Sequence, residues 1–367
     1  MFKRYKFRNY DFILVILIWA ISAVGIMAVG SAEESLQAKQ LMGVIMGTVM
    51  MIVISLLDYT TLIKLYVLMY VGNVGLLLLV KFVGDDAGGA QRWLDLGFFK
   101  FQPSETAKIL LILFFAQFIM KYKEKFNTIR VILSCLVLVF IPWILVLTQP
   151  DLSTSIVIIA VFCIIMFAGG ISFKWILTAV AIVVPAVAIL LTVALQPGNG
   201  ILEQYQKNRI LAFINPQEYA SEEAYQQLNS VTAIASGMLD GKGYDNNEIT
   251  SVINGNFVSE PQTDFIFAVI GEELGFKGGF LVIFLLFAIA IRCVNIARKA
   301  KDVAGCVIAA GMGGLVAFQS FFNIGVAMFI IPNTGLPLPF VSYGLTSVMS
   351  LYIGMGFVLN VRLQGKR

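Results

Sequence analysis

Residues Ser259 to Ile291 read SEPQTDFIFAVIGEELGFKGGFLVIFLLFAIAI, and the way that stretch divides decides the architecture. A polar approach delivers one aspartate, Asp264, to the mouth of an apolar run that continues far beyond it. From Phe265 to Ile291 the run is too long for one perpendicular crossing, because a helix rises about 1.5 Å per residue and a bilayer core is about 30 Å thick. Gly271, Glu272, Glu273, Gly275, Lys277, Gly278 and Gly279 interrupt it. The predicted arrangement is a short interfacial helix bearing Asp264, then a break, then a membrane span. A carboxylate at a water–lipid boundary is costly unless something pairs or uses it, which makes Asp264 the leading candidate for chemistry. The competing reading is that Asp264 only caps the helix that follows it, a position Asp favours.

The rest of the chain extends the apolar pattern. Hydrophobic residues make up 59% of the sequence and charged residues 13%, with a mean hydropathy of +0.86. A soluble domain lies nearer half apolar and about a quarter charged. Apolar runs near 11–30, 38–57, 60–82, 104–120, 130–148, 152–170, 172–195, 277–297, 303–329 and 338–360 predict an all-α polytopic membrane protein with about ten transmembrane helices. One transmembrane domain then covers 1–367. A large extracellular loop between spans seven and eight, 197–263, forms a cap within it, with helix-like patches at Tyr205–Phe213 and Ala224–Leu239. Met1–Arg8 carries Lys3, Arg4, Lys6 and Arg8 and resembles the start of a signal sequence. The run behind it is long and further spans follow, which predicts an uncleaved first helix. Ten spans put that N-terminus on the same side as Lys121, Lys123, Lys125 and Arg130, Arg292, Arg298, Lys299 and Lys301, and Arg362, Lys366 and Arg367. The positive-inside rule makes that side cytoplasmic and places Asp264 outside.

There are no histidines. That excludes a Ser-His-Asp triad, a Cys-His pair and histidine-bound zinc within this chain. A general base must then be a carboxylate, a lysine or a tyrosine. Cys135, Cys163, Cys293 and Cys306 are scattered through apolar spans without CxxC spacing, and read as small apolar fillers.

Gly88–Lys108, GGAQRWLDLGFFKFQPSETAK, sets Arg92 and Lys100 on the outer side, against the general bias for cations inside. Trp93 suits the headgroup zone, as an interfacial anchor or as a substrate contact. Glu105 and Lys108 lie three apart on one helix face, close enough to form a structural ion pair, and Lys108 is also a candidate substrate contact. TQPDLST, Thr148–Thr154, puts Asp151 at the start of a span, as a cap or as a site residue. Lys207 and Arg209 in the cap form a cationic pair suited to phosphate, or else a solvated helix face. Ile331–Ser347, IPNTGLPLPFVSYGLTS, is a Pro- and Gly-rich turn that brings Ser342 and Tyr343 to the outer level. No phosphate loop of the NTPase type is present.

Together GAQRWLDLGFFKFQPSE, QPDLST, YQKNRI with AFINP, TDFIFAVIGEELGF and LPLPFVSYG resemble the SEDS family (RodA, FtsW and SpoVE), in order and across nearly the whole chain. The short N-terminus and the AQRWLDLG wording look nearest the RodA branch. The resemblance implies a peptidoglycan glycosyltransferase that polymerises lipid II on the outer face of the bacterial cytoplasmic membrane. It implies a partner as well, a class B penicillin-binding protein that cross-links the strands. It also implies that the aspartate of the TDF motif, here Asp264, is catalytic, and that the RW, PSE and K positions fall on Arg92, Trp93, Glu105 and Lys108. The chain departs from the pattern at ASGMLDGKG (Ala235–Gly243), at Gln262 in place of the usual histidine, and at SYGLTS (Ser342–Ser347). Asp264 is then the base that deprotonates the acceptor hydroxyl. Charge developing on the leaving pyrophosphate would meet Arg92, Lys207 or Arg209, or a bound divalent cation. No nucleotide is required, because the donor is already activated. The rival classes are a lipid II flippase and a non-catalytic scaffold.

Overall fold

The computed structural model describes residues 9–87, 90–95, 97, 100–194, 204–219, 224–245, 251, 255 and 257–365. Among the described residues thirteen α-helices run α1 (Phe12–Ala32), α2 (Glu34–Leu56), α3 (Tyr59–Leu62), α4 (Tyr66–Val83), α5 (Pro103–Lys121), α6 (Ile129–Leu147), α7 (Leu152–Ala168), α8 (Phe173–Ala194), α9 (Gln204–Ile214), α10 (Tyr225–Ser236), α11 (Ile266–Arg298), α12 (Val303–Ala327) and α13 (Leu345–Gln364). Tyr59–Val83, α3 and α4 with a turn of 3-10 helix between them, counts as one span. Eight segments among the described residues are long and apolar enough to cross a membrane, and two shorter apolar helices begin at Leu152 and Phe173. The chain is a multi-pass membrane protein.

The bundle is ordered by what each helix must hide. The spans α5, α12 and α13 are the most buried, and they carry the polar side chains Glu105, Lys108, Gln319, Asn323 and Asn360 inside. Such groups are costly in hydrocarbon and belong in the interior of a bundle. The spans α2, α4, α6 and α8 line the periphery and turn large apolar side chains outward, among them Leu68, Val137 and Leu177. At one end, Arg292 pairs with Asp11 at 2.8 Å, Tyr59 Oη donates to Asp302 Oδ1 at 2.9 Å, and Lys301 reaches Gln364. The turn from Lys121 to Arg130 lies at this end as well. The opposite end gathers the starts of α5, α7, α11 and α13.

The long run after Asp264 is divided as its glycines suggest. Gly275 adopts φ 60°, ψ −158° inside α11, splitting it into a short buried segment and a full span. The turn after α10 is fitted onto this break. Phe276 N–H donates to Met238 O at 2.9 Å, and Lys242 pairs with Glu272 at 2.6 Å. A Cβ at Gly237 would collide with the Gly271 carbonyl oxygen, and one at Gly241 (φ +81°) with that of Glu273. Glycine is required at both.

One expectation needs correction. The last span starts at Leu345, not near 338, and Pro332–Gly344 is non-helical chain folded into the end of the bundle. Prolines 337 and 339 lack the N–H a helix needs, although hydropathy alone cannot register it. The segment before α5 also holds a small antiparallel sheet, β1 (Asp85–Ala87), β2 (Ala90–Asp95) and β3 (Lys100–Phe101), with Asp85 opposite Trp93 and Asp95 opposite Lys100. Of the predicted cap, 204–219 and 224–245 are described almost throughout, and the helical patches correspond to α9 and α10. Residues 197–203, 220–223 and 246–250 and the basic residues of Met1–Arg8 lie outside the described residues, as do Lys366 and Arg367. The four cysteines are free thiols, with Cys135 and Cys293 buried.

Candidate active site

Asp264 lies in a turn just before α11, and the helix is capped at Phe265 with no side-chain cap bond. The carboxylate accepts no hydrogen bond among the described residues. The bond at this residue is to its backbone, where Asn323 Nδ2 donates to Asp264 O at 2.8 Å. The capping alternative is therefore set aside for Asp264. Asp151, which looked equivalent in sequence, does act as a cap. Its Oδ1 accepts from Thr154 N–H at 3.1 Å, and its Oδ2 accepts from Ser104 Oγ at 3.2 Å and Gln102 Nε2 at 3.4 Å.

The neighbours of Asp264 come from across the chain. Gly335, at φ +72°, lies so close that a Cβ there would stand 3.2 Å from Asp264 Oδ2. Residues 335–338 are held in place from below by α12. Asn323 Nδ2 donates to Leu336 O at 2.7 Å while also holding Asp264 O, and Gln319 Nε2 donates to Pro337 O at 2.9 Å. These two amides lie one helical turn apart on a buried face. Ser342 Oγ donates to Thr263 O at 2.5 Å and accepts from Leu338 N–H at 2.7 Å, and Tyr343 N–H donates to Gln262 O at 2.9 Å. Ser153 Oγ bonds Thr334 O, tying α7 to the same loop. Non-helical backbone at this depth is tolerated because its polar groups find partners inside the protein.

Electrostatically the site is mixed. Burial pushes the Asp264 carboxyl up from 3.8 to about 6, although the residue keeps some access to solvent. The positive charges of Arg209 and Arg92 pull it down, while Glu260 and Asp151 push it up. Arg209, on α9, exerts the largest of these charge effects. Lys207, two residues before Arg209 on α9, lies on a different face of the helix. Arg92, on β2, donates through Nε to Gln149 O at 3.0 Å and through Nη2 to Pro150 O, anchoring it beside Asp151. Trp93, Lys207 and Tyr343 are partly open, and Ser342 is buried. Lys108 is turned into the bundle and is 2% exposed, with Nζ 2.7 Å from Glu105 Oε1 and 3.3 Å from Gln319 Oε1. Glu272 is occupied by Lys242 and Glu273 by Ser31. Among the described residues no three His, Cys, Asp or Glu side chains gather as a metal cluster.

Sequence reasoning passed over Gln319, Asn323 and Gly335. Two amides spaced i, i+4 inside AFQSFFNIG were a usable signal, since polar side chains within a span want a reason.

The fold is one that known proteins share. The sequence pattern of the cell cycle protein family FtsW/RodA/SpoVE matches residues 6–367. The chain belongs to this family. It is 32% identical over 354 residues to the peptidoglycan glycosyltransferase MrdB of Escherichia coli K12, covering 96% of this chain and 93% of that one. It is 31% identical over 373 residues to the probable peptidoglycan glycosyltransferase FtsW of Trichlorobacter lovleyi, covering 98% and 94%. Among solved structures it resembles a chain of a peptidoglycan synthase complex in which polymerization and crosslinking are coordinated, with a TM-score of 0.80, 28% identity and coverage of 96% and 97%. The crystal structure of the rod shape determining protein RodA of Thermus thermophilus matches with a TM-score of 0.70, 27% identity and 96% coverage of each chain. A peptidoglycan glycosyltransferase is thus the class of enzyme to which the chain is assigned.

Proposed function

We propose that this peptidoglycan glycosyltransferase polymerises lipid II into glycan strands at the outer face of the bacterial cytoplasmic membrane, with Asp264 as general base. The observation that carries the reading is the state of that carboxylate: partly open, uncapped, unpaired by any hydrogen bond among the described residues, and lifted to about 6. A base whose pKa approaches the working pH is more effective than an ordinary aspartate, and such a group typically contributes about 10² to 10⁴ in rate. As the acceptor oxygen bonds to the anomeric carbon of the donor, its proton passes to Asp264. The bond from that carbon to the lipid pyrophosphate breaks, and the pyrophosphate departs with the electron pair. Arg209 and Arg92, whose fields reach Asp264, would stabilise that charge, with Lys207 two residues before Arg209 on α9. A bound divalent cation is the other group that would serve there. Trp93 and Tyr343 supply partly open aromatic surface for the sugar and its lipid. Asp151 and Ser342 serve by holding the backbone on which the site is built.

The orientation rests on charge. Lys121, Lys123, Lys125 and Arg130 lie at the end away from Asp264, together with Arg298, Lys299 and Arg362, which supports cytoplasmic termini and an extracellular site. The partner is a class B penicillin-binding protein. Supporting it is a lipid-facing ladder on α11 of Phe276, Phe280 and Phe284, stacked at 6.2 and 6.5 Å and largely exposed, a face suited to a partner's helix.

The test is purified protein with its partner, given lipid II in detergent, where there is no membrane to cross. Glycan strands are expected from the parent and none from a folded Asp264→Asn variant. A flippase or a scaffold would leave lipid II unchanged, and that result would overturn the proposal.

A further inference from the structure

At the end of the bundle away from Asp264, an open groove of about 610 Å³ runs along the outer face of α6. Its mouth is polar, lined by Arg130, Ser134 and Tyr122. Its floor is apolar, lined by Val131, Leu133, Val137, Leu138 and Phe118. From Arg130 to Leu138 the groove descends about 12 Å along the helix axis, at about 1.5 Å per residue. The nineteen residues of α5 separate this level from Pro103 and the catalytic end by about 28 Å, close to the thickness of a bilayer core. The mouth therefore lies at a membrane boundary and the floor within hydrocarbon.

The charge around the mouth is one-sided. Lys121, Lys123, Lys125 and Arg130 are exposed, with Glu124 the one acid between them in sequence. Among the described residues Lys123, Lys125 and Arg130 form no ion pair. Lys121 is held by neutral groups, with Nζ 3.1 Å from Tyr66 Oη and over the rings of Tyr66 and Tyr122 at 5.7 and 5.5 Å, so its charge is not neutralised.

We propose that this groove is a binding site for a phospholipid with an anionic phosphodiester headgroup, its phosphate at Arg130 and an acyl chain along Leu133, Val137 and Leu138. Polar mouth, apolar floor and uncompensated positive charge match the three parts of such a molecule, and basic pockets between transmembrane helices are known to take anionic headgroups. A zwitterionic lipid would bring its own ammonium against the cluster. A partner's helix would have to bring a carboxylate of its own to Arg130, since burying that charge unpaired is strongly unfavourable. The site lies a membrane's thickness from Asp264 and does not rest on the catalytic reading.

The experiment uses the full chain in detergent, titrated with phosphatidylglycerol or phosphatidylcholine and read by native mass spectrometry and by the shift in thermal unfolding. The parent is expected to retain phosphatidylglycerol in preference to phosphatidylcholine, and less so at high salt. Arg130→Gln should reduce that preference about fivefold, the equivalent of about 1 kcal/mol for one cation near an anionic headgroup. Val137→Trp, which fills the groove, should lower retention of both lipids. A parent with no preference, an Arg130→Gln variant that keeps it, or a Val137→Trp variant that binds both lipids as before would each overturn the proposal. Protection by inorganic phosphate as strong as by the lipid would overturn the acyl-chain part. Because Arg130 is exposed and forms no ion pair among the described residues, its replacement is expected to leave the fold intact.

Discussion

Replacing Asp264 by Asn should abolish polymerisation and at the same time stabilise the protein, by an amount that depends on pH. Burial lifts the carboxyl from 3.8 to about 6, even with Arg209 and Arg92 opposing it. That rise, at about 1.4 kcal/mol for each tenfold change in proton affinity, is a differential of about 3 kcal/mol between the two protonation states. The sign follows from which state binds the proton more tightly. Here the folded state does, so stability is highest where the group is protonated in both states, below about pH 4. It falls as the pH rises from about 4 to about 6, and the full penalty stands above that range. Asparagine cannot ionise and carries no such penalty. The variant should be about 3 kcal/mol more stable than the parent at about pH 8 and nearly equal to it below about pH 4. Thermal unfolding in detergent, followed by intrinsic fluorescence across that range, measures the difference. A variant that is no more stable at high pH, or whose advantage does not shrink on acidification, refutes the account of a largely desolvated, destabilising carboxylate. The parent's rate should show an acid limb with its midpoint near pH 6, falling about tenfold per unit below it. A limb near pH 4 would mean that the site does not tune its base.

Glu105→Gln should cost about 3–5 kcal/mol by stranding the buried Lys108 ammonium, whereas the double change Glu105→Gln with Lys108→Met should recover most of that loss. Chemical denaturation of the three variants decides it, and a double variant as unstable as the single one would count against the pair. Asn323→Leu leaves Asp264 O and Leu336 O without their donor, at about 1–3 kcal/mol each, and should lower kcat more than KM as the catalytic turn loosens. Asn323→Asp, equal in size but lacking the amide hydrogens, should fail in the same way, and an active Asp variant would show that the donor is not what matters. Gly241→Ala forces a side chain into a left-handed position against the Glu273 carbonyl, and should expose the 237–245 turn to proteolysis while leaving the spans folded.

Much of this architecture was legible because lipid imposes a simple condition on sequence, that each crossing be apolar and long enough. The break at Gly275 was readable for a related reason, since glycines and charges cluster where a single helix could not continue. The same criterion misplaced the start of the last span, because LPLPF is apolar without being helical. Strand pairing before α5 depends on contacts between short segments, and no single segment announces it. The two aspartates teach the same lesson at the site. Asp151 and Asp264 each precede an apolar run, and local sequence cannot tell a satisfied cap from an idle carboxylate. What separates them is Ser104 and Thr154 on one side, and Gly335, Arg209 and Asn323 on the other, brought from distant parts of the chain. Arg92 and Arg209 were visible in the sequence as cations on the outer side. That the charges of both reach Asp264 was not.

The support given to residues 335–338 by Gln319 and Asn323 carries one more implication. Both amides grip main-chain oxygens, which every amino acid possesses, so the grip is indifferent to the side chains at 336 and 337. It is not indifferent to spacing. A single inserted or deleted residue between Ile331 and Leu338 would present the wrong carbonyls to α12 and carry Gly335 away from Asp264. This stretch should therefore accept many changes of identity and almost none of length.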